Sequence, residues 1–355
     1  MPKRPHVKQS VHQCIIIIDM AHDKTVRILT LRNFKNYGNR LQNYALSAII
    51  RQLGYRVRTV NCFSAKQFLY NLTIRWFPLG ENRAKEYRLY RFTRKRIRQD
   101  YLWYRSADYV VIGSDQVWNP KYLEKQPVFL NVPYRGVKIA YAASVGFDKL
   151  SDAQEKMFSK HLNDFESISV REKGAKPLLQ PLTNRKIDVV LDPTLLLPVS
   201  DYEKLEECPK NIGHKDKYVV SYILGDYKYR KMVEDFAKKH NYKTIYLSDG
   251  RESDYSVEEF LYLIHHAQAV FTDSFHACVF SFLFERPFLV FKRSGEANYM
   301  YTRIQNLLEL FNLKGHEFSE KIPDSILQTN YSSSKNKLDT ERKKSTDILR
   351  GALNG

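Results

Sequence analysis

The chain has 355 residues, enough for two average domains, and its 43% of hydrophobic residues can build real cores. Lysine and arginine outnumber aspartate and glutamate by 57 to 39, and the net charge of +18 favours a phosphate, an acidic glycan, an anionic membrane face or a nucleic acid as partner. No apolar run approaches the roughly 20 residues of a membrane-spanning helix, and residues 14–19 are too short for a secretory signal.

The four cysteines, Cys14, Cys62, Cys208 and Cys278, lie far apart and form no Cys-x-x-Cys pair or Cys/His cluster. This spacing argues against a zinc site or a disulfide framework, so no metal is expected and a reducing cytoplasm fits best. Residues 1–25 are expected to be a disordered extension ahead of the first strand, with either Met1 or Met20 as the true start.

The first regular unit is predicted in residues 26–63. A β-branched run (VRILTL) precedes a turn-rich loop (RNFKNYGN), a helical stripe that stops at Gly54 and a second strand (YRVRTVNCF). Because the connections are short, the unit favours a right-handed parallel crossover.

A basic segment is inserted next, near residues 65–105. Between positions 83 and 98 it carries eight arginines or lysines with interleaved aromatic residues, which predicts a cationic helix. Two interpretations stay open. The helix is either a solvated face whose aromatic side packs on the domain, or a patch for anionic lipid headgroups or a phosphorylated substrate.

Strand-like runs then alternate with helical patterns through both halves of the chain. The runs lie at 109–114, 138–144, 167–172, 188–192, 218–224, 243–248, 269–274 and 286–292. This alternation predicts an α/β fold of two Rossmann-like domains that face a cleft, at 26–198 and 199–316. A polar tail with a closing helix is expected at 317–355.

Ligands of open parallel sheets bind beyond the carboxyl ends of the strands, and two polar corners of this kind lie in the first half. Backbone N–H groups of the first corner suit an anion, and its candidate binding residues are Asn36, Gly38, Arg40 and Gln42. In the second corner, Asp115 can accept a sugar hydroxyl or its proton, Ser114 is a further binding candidate, and Trp118 can stack on a sugar face. Turn and cap chemistry, with a buried tryptophan, accounts for the same residues equally well.

Two further corners are candidates. Arg171 follows a strand and can grip carboxylate or phosphate, although an ordinary surface cation would have the same pattern. Ser274 and His276 open a predicted helix at a ligand edge, and a histidine in that position is expected to be functional. Lys292 and Arg293 end the next strand and are expected to point into the same cleft.

Six segments, taken in order over about residues 26–315, resemble the polysaccharide pyruvyl transferase family: NYGNRLQNYAL, VVIGSDQVWNP, SVREKGA, VVLDPTLLL, FTDSFHACVFSFLFERPF and MYTRIQNLLELFNL. The resemblance implies a glycosyltransferase-B-like fold. It also implies transfer of the pyruvyl group of phosphoenolpyruvate to a sugar of a bacterial exopolysaccharide, capsule or cell-wall glycan precursor. The usual product is a ketal with release of phosphate, and no cofactor beyond the donor is implied.

The resemblance also implies residue roles. His276 matches the helix-opening histidine regarded as the general acid that protonates the methylene carbon of phosphoenolpyruvate. Asp115 matches an aspartate that would bind or activate the acceptor hydroxyl, and Arg171 an anion clamp. Many members carry arginine where this chain has Ser274, so the anion is expected to be held by Arg171, Lys292, Arg293 or the turn at 38–40.

Two other functions stay open at this stage. A nucleotide-sugar glycosyltransferase of the same fold would bind UDP or GDP tightly, and a non-catalytic glycan- or membrane-associated family member would suit Ser274 and the basic helix. Nucleic acid is not expected, because no recognition motif is present and the cations are spread along the chain. The protein is expected in the cytoplasm, and at the inner face of the plasma membrane if its glycan acceptor is lipid-linked.

Overall fold

The computed structural model describes residues 23–60, 69, 73, 83–100, 106–133, 135–213, 215–225, 227–248, 254–293 and 298–355. The predicted N-terminal extension and much of the basic insert therefore lie outside the described residues, apart from a few positions at their edges.

The first unit is a seven-stranded parallel sheet with the order β3-β2-β1-β4-β5-β6-β7. Its strands are β1 (Thr25–Leu29), β2 (Arg56–Val60), β3 (Gln99–Asp100), β4 (Tyr109–Ile112), β5 (Val137–Ala143), β6 (Ser167–Val170) and β7 (Ile187–Val189). The central strand β4 is buried along its whole length, which explains its continuous apolar sequence: parallel strands are covered on both faces. The two-residue strand β3 carries no sequence signal and was not predicted.

The helices of this unit lie in the expected connections. They are α1 (Tyr37–Gln52), α2 (Arg83–Arg96), α3 (Pro120–Leu123), α4 (Asp152–His161) and α5 (Ala175–Leu179), and the short α6 (Val199–Glu203) leads into the second unit. Helix α1 begins after Asn36, whose side chain accepts a hydrogen bond from the backbone N–H of Asn39, so a polar turn residue stops the loop and starts the helix.

The second unit is a four-stranded parallel sheet with the order β11-β10-β8-β9. Its strands are β8 (Tyr218–Tyr222), β9 (Lys243–Tyr246), β10 (Ala269–Thr272) and β11 (Phe288–Val290), and its helices are α7 (Arg230–Lys239), α8 (Val257–His265), α9 (Phe275–Leu283) and α10 (Asn298–Leu310). Both parallel sheets were expected from the sequence, so the predicted α/β architecture is confirmed.

The two units share one hydrophobic core. Every residue of α9 is buried, as expected for a helix that is apolar on all sides, and one cluster of buried side chains includes Val26 of the first unit and Phe280 of the second. The closing helix α11 (Ser332–Asn354) returns to the first unit, where the Tyr55 hydroxyl donates to the Leu353 carbonyl at 2.7 Å. This packing holds the cleft between the units.

The basic helix α2 also contributes to the interface between the two units. Its aromatic side is buried, as the first interpretation expected, but several of its cations pair with carboxylates of the second unit. Arg88 lies 3.3 Å from Glu259 and Arg96 lies 3.9 Å from Glu258. Within the described ranges, no helix combines the length and the apolar character needed to cross a bilayer.

The topology fixes where a ligand would bind. Strand order reverses between β1 and β4 in the first sheet and between β8 and β10 in the second. Crevices form at such switch points, beyond the carboxyl ends of the strands. The loops after these four strands contain the first, second and fourth polar corners of the sequence, or face them.

Candidate active site

A cavity of about 240 Å³ lies where the two switch points meet. The first unit contributes residues that follow β1 and β4, among them Arg32, Asn36 and Asp115. The second contributes residues after β8 and β10, and Arg303 from α10. The ends of four strands from two sheets therefore form one site.

His276 is fixed in the floor of this cavity by close packing against α1. A Cβ atom on Gly38 would lie only 2.0 Å from His276 Nδ1, so glycine at position 38 makes room for the imidazole ring. His276 is 6% exposed, and its Nε2 has no hydrogen-bond partner in the described part of the chain. The nearest acidic group is Asp192, whose Oδ2 lies 3.9 Å from Nε2.

The environment of His276 favours the neutral imidazole at neutral pH. Burial lowers the pKa of His276 to about 4, with Arg171 and Arg303 acting in the same direction and Asp192 and Asp115 acting against it. Burial is the largest of these causes, ahead of any neighbouring charge.

Arg171 forms ion pairs with two buried carboxylates. Its Nη1 donates to Asp192 Oδ2 at 2.6 Å, its Nε donates to Glu172 Oε1 at 3.3 Å, and its guanidinium lies 4.8 Å from the Phe275 ring centroid. Burial alone would raise the pKa of Asp192, but Arg171 and further neighbours hold it at about 2. Arg171 lines a neighbouring cavity of about 320 Å³ rather than the one beside His276.

Asp115 is an ionised carboxylate at the cavity wall. Its backbone φ is +71°, a left-handed conformation that aspartate tolerates better than most residues. Its Oδ2 accepts from Asn39 Nδ2 at 2.6 Å. Burial opposes ionisation, but the charge of Arg171 and the bond from Asn39 act against it, and the pKa of Asp115 is lowered.

Asp273 has a different setting although it also follows a strand. It accepts from the backbone N–H groups of Leu224 and Gly225 at 2.8 and 2.7 Å, and from Arg293 Nε at 2.9 Å. Arg293, which the sequence expected in the cleft, does line the cavity, but this carboxylate holds it. Ser274 also lines the cavity, and its side chain makes no capping bond to α9.

The cavity is also lined by Arg303, a cation that the sequence analysis did not identify as a binding residue. Arg303 of α10 is 7% exposed and lines the cavity beside His276. Burial lowers its pKa to about 10, so the guanidinium is charged at neutral pH. Arg303 and Asp192 both lie in segments that supported the family resemblance, MYTRIQNLLELFNL and VVLDPTLLL, but neither had been given a role.

Trp118 corrects the sequence interpretation. The ring is fully buried, its Nε1 donates to the Phe129 carbonyl at 2.9 Å, and it packs edge-on against Phe158 and Phe165. No face is left for a sugar, because a ring of this size finds its partners inside the first unit. The buried tryptophan of the alternative interpretation is what the structure has.

Other predicted binding residues support the loops instead of lining the cavity. Arg40 is buried and donates to the Leu31 carbonyl at 2.8 Å, and Gln42 Oε1 accepts the Ser114 N–H at 3.2 Å. Ser114 Oγ donates to Asp192 Oδ2 at 3.2 Å. Lys292 is exposed, lies 5.7 Å from the Tyr301 ring centroid and is outside the described residues that line the cavity.

Only one group in the described part of the chain has the spacing of metal ligands. It consists of Glu206, His265 and His266, whose ligand atoms lie within 4.8 Å of one another. These residues are outside the set that lines the cavity.

A family model described as polysaccharide pyruvyl transferase matches residues 36–295. The chain belongs to the polysaccharide pyruvyl transferase family. The matched span contains the Asp115 loop, the Arg171–Asp192 pair and the His276 corner, whereas Arg303 lies just beyond it. Family membership supports a transferase. A comparison with curated proteins finds no match.

Solved structures add the fold. The chain is similar to UDP-GlcNAc 2-epimerase from Methanocaldococcus jannaschii, with 13% identity and a TM-score of 0.51 over 94% of this chain and 100% of that one. It is also similar to UDP-N-acetylglucosamine 2-epimerase from Rickettsia bellii, with 11% identity and a TM-score of 0.49 over 92% and 96%. Heptosyltransferase II from E. coli matches at 10% identity and a TM-score of 0.34 over 90% and 99%. The match to the M. jannaschii epimerase, together with the two parallel sheets, confirms the glycosyltransferase-B-like fold, and an identity of 13% shows nothing beyond the fold.

Proposed function

We propose that this protein transfers the pyruvyl group of phosphoenolpyruvate to hydroxyls of a sugar in a bacterial envelope glycan precursor. The observation that supports it most directly is the His276 imidazole, buried at the floor of a cavity with an Nε2 atom that has no partner among the described residues. Family membership and the arginines around the ring point to the same chemistry.

The donor has two anionic groups, a phosphate and a carboxylate, and needs cations that are already oriented. Arg32, Arg293 and Arg303 line the cavity. A guanidinium can grip either group through two parallel N–H bonds. Arg303 is the strongest candidate clamp, because it is buried and lines the cavity beside His276. It would supply the charge that Ser274 lacks.

Proton transfer then follows from electrostatics. A neutral imidazole cannot act as an acid, so His276 must gain a proton when the donor binds. The negative charges of phosphoenolpyruvate favour the imidazolium and raise its pKa. An acid that becomes charged only beside its substrate matches the requirement for proton donation near neutral pH.

The bonds balance without a co-reactant. The imidazolium N–H bond breaks and the proton forms a C–H bond at the methylene carbon of the donor, which leaves an oxocarbenium-like centre at the neighbouring carbon. A sugar hydroxyl attacks that centre, and Asp115 is the carboxylate positioned to receive the hydroxyl proton. A second hydroxyl of the sugar closes the ketal as the phosphate leaves. The two sugar hydroxyls release two protons in all. One replaces the proton that His276 gave, and the other protonates the released phosphate.

The direct test is incubation of the purified protein with phosphoenolpyruvate and a panel of glycosides. We expect release of phosphate and the added mass of one pyruvyl group. His276→Gln should lower the rate by about 10²- to 10⁴-fold, the range for loss of a general acid. Its circular dichroism spectrum should remain that of the folded wild-type protein. Full activity in this variant would remove the assigned role. Tight binding of UDP or GDP without any response to phosphoenolpyruvate would favour a nucleotide-sugar glycosyltransferase, and silence towards every donor a non-catalytic protein.

Protonation on binding can be measured separately. Calorimetric titration with phosphoenolpyruvate in two buffers of different ionisation enthalpy should show uptake of about one proton per site near neutral pH, because the free imidazole is neutral. The His276→Gln variant should bind the donor with that uptake lost. Equal uptake in both proteins would contradict the proposed proton source.

The proposal extends to a lipid-linked acceptor reached from the cytoplasmic face of the plasma membrane. Arg91, Arg94 and Arg98 are exposed on and just after α2, and each cation near an anionic surface contributes about 1 kcal/mol of attraction. Sedimentation with phosphatidylglycerol vesicles should capture the protein. The triple replacement of these arginines by glutamine should release it, and unchanged capture would contradict this extension.

A further inference from the structure

The cavity changes character between its floor and its mouth. The floor is built from nearly buried charged residues, among them His276 at 6%, Arg303 at 7% and Asp273 at 4% exposure. At the mouth, Tyr122 is 39% and Leu224 is 42% exposed. The amide side chains of Asn33 and Gln126 also line the cavity. One site therefore joins buried charged residues to exposed apolar and amide residues.

The mouth residues are unusual for this molecule. Only three large hydrophobic side chains are strongly exposed in the part of the chain that the structure describes, and two of them are Tyr122 and Leu224. They come from opposite units and line the same cavity. Single exposed apolar residues need no explanation, but two that line one polar cavity from opposite units are typical of a binding site.

Both residues lie on backbone segments that buried groups hold in place. Tyr122 belongs to α3, which begins after Asn119 and follows the loop that buried Trp118 anchors. The Leu224 N–H donates to Asp273 Oδ1 at 2.8 Å, so the segment that bears Leu224 is tied to the loop before His276. An exposed side chain on a fixed backbone can bind a ligand with little loss of conformational entropy.

We propose that this mouth is the subsite for the acceptor sugar, with one pyranose ring between Tyr122 and Leu224 and with the amides of Asn33 and Gln126 bonding its hydroxyls. The apolar C–H face of a pyranose matches an aromatic ring, and its equatorial hydroxyls match amide groups. Tyrosine supplies both an apolar body and a polar tip. The inference rests on the proposed function, which assigns the charged floor to the donor. It moves the stacking role from Trp118 to Tyr122.

The test uses the full-length protein and a readout that needs no catalysis. Saturation-transfer NMR is recorded with the methyl β-glycosides of galactose, glucose and mannose at high millimolar concentration. At least one should receive saturation from the wild-type protein, most strongly at its ring C–H protons. The signal should disappear in Tyr122→Ala and weaken in Leu224→Ser, but persist in Tyr122→Phe, which keeps the ring.

Lys121→Ala is the matched control, because Lys121 is exposed on the same helix and lies outside the described lining of the cavity. It should leave the signal unchanged. In transfer assays Tyr122→Ala should raise the acceptor KM about tenfold, as expected for loss of an aromatic contact, and leave donor binding intact. If Tyr122→Ala fails to fold, Leu224→Ser makes the same test from the other unit.

The outcomes separate this inference from the proposed function. Equal saturation transfer in Tyr122→Ala and the wild type, or none from the wild type, overturns the sugar subsite. Glycoside binding that depends on Tyr122, in a protein whose melting temperature does not respond to phosphoenolpyruvate, overturns the proposed donor but supports the sugar subsite.

Discussion

Asp115 and Asp273 are two strand-end aspartates that the sequence makes nearly equivalent. Each follows a buried strand, each lies at a switch point of its sheet, and each lines the same cavity. Asp273 is occupied by two backbone N–H groups and the Arg293 guanidinium. Asp115 accepts from Asn39 Nδ2 and from the backbone N–H of Gln116. Asp273 is a structural clamp, whereas Asp115 keeps acceptor capacity for a substrate.

The difference shows that position at a strand end is not sufficient for a chemical role. A carboxylate can take part in a reaction when its lone pairs and its charge are not already used by the protein. Asp273 holds Leu224, Arg293 and the start of α9 in one arrangement, and so positions His276 without reacting. Variants of the two aspartates should therefore separate stability from activity.

The largest effect is expected for Asp273→Ala. It leaves Arg293 without its carboxylate and two backbone N–H groups without acceptors, which should lower the free energy of unfolding by about 3 kcal/mol. Urea unfolding followed by fluorescence measures this. Asp235→Ala, which removes an exposed partner of Lys231, is the control and should change stability by less than about 0.5 kcal/mol. A similar small change for Asp273→Ala would contradict the clamp.

Asp115→Asn should have little effect on stability but a large effect on the rate of transfer. The amide oxygen can still accept from Asn39, and only the bond from the Gln116 N–H is lost, so we expect the free energy of unfolding to fall by about 1 kcal/mol. The rate of pyruvyl transfer should fall about 100-fold, because the variant loses the base that receives the hydroxyl proton. Initial rates at saturating donor and acceptor give the comparison, and retention of more than half the activity would exclude Asp115 from the chemistry.

A smaller effect should appear in the pH dependence of stability. In the unfolded chain His276 binds a proton near pH 6.5, whereas in the folded protein its pKa is about 4. The unfolded state therefore takes up the proton first, and unfolding becomes easier as the pH falls from about 6.5 towards 4. Between about pH 7.5 and 5 this one group should cost about 2 kcal/mol.

His276→Gln should remove that part of the dependence. Asp192, whose pKa is about 2, loses its contribution only at lower pH, outside this window. Urea unfolding of both proteins at the two pH values provides the measurement. Parallel pH profiles for the variant and the wild type would show that the imidazole is not held neutral by burial.

The sequence was most accurate for local features. The helical stripe that was expected to stop at Gly54 ends at Gln52, and the opening of α9 at His276 was located correctly. It was least accurate for the surroundings of side chains. Trp118 was assigned to a sugar platform because it follows a strand end, but its environment is formed by Phe158 and Phe165, and nothing in the local pattern specifies that packing.

Arg303 is a residue of the site that the sequence analysis did not identify. Its segment has the pattern of an amphipathic helix, and one arginine on such a helix is expected to be a surface cation. It reaches the cavity because α10 packs against α9 in the second unit, with Leu307 and Leu308 in the shared core. Among several cations near the cleft, the sequence could not distinguish this buried guanidinium from Lys292, which is exposed.

The sequence by itself determined the two α/β units, the order of most strands and helices, and the polar corners at their ends. These follow from hydrophobic periodicity and turn residues, which act over a few positions. Only the tertiary structure decided which corners meet in one cavity, which charges are already paired and which rings are exposed. Those properties depend on partners far apart in the chain, such as Asn39 and Asp115, 76 positions apart. Burial and hydrogen bonding, not spacing, set what each group has left to offer a ligand.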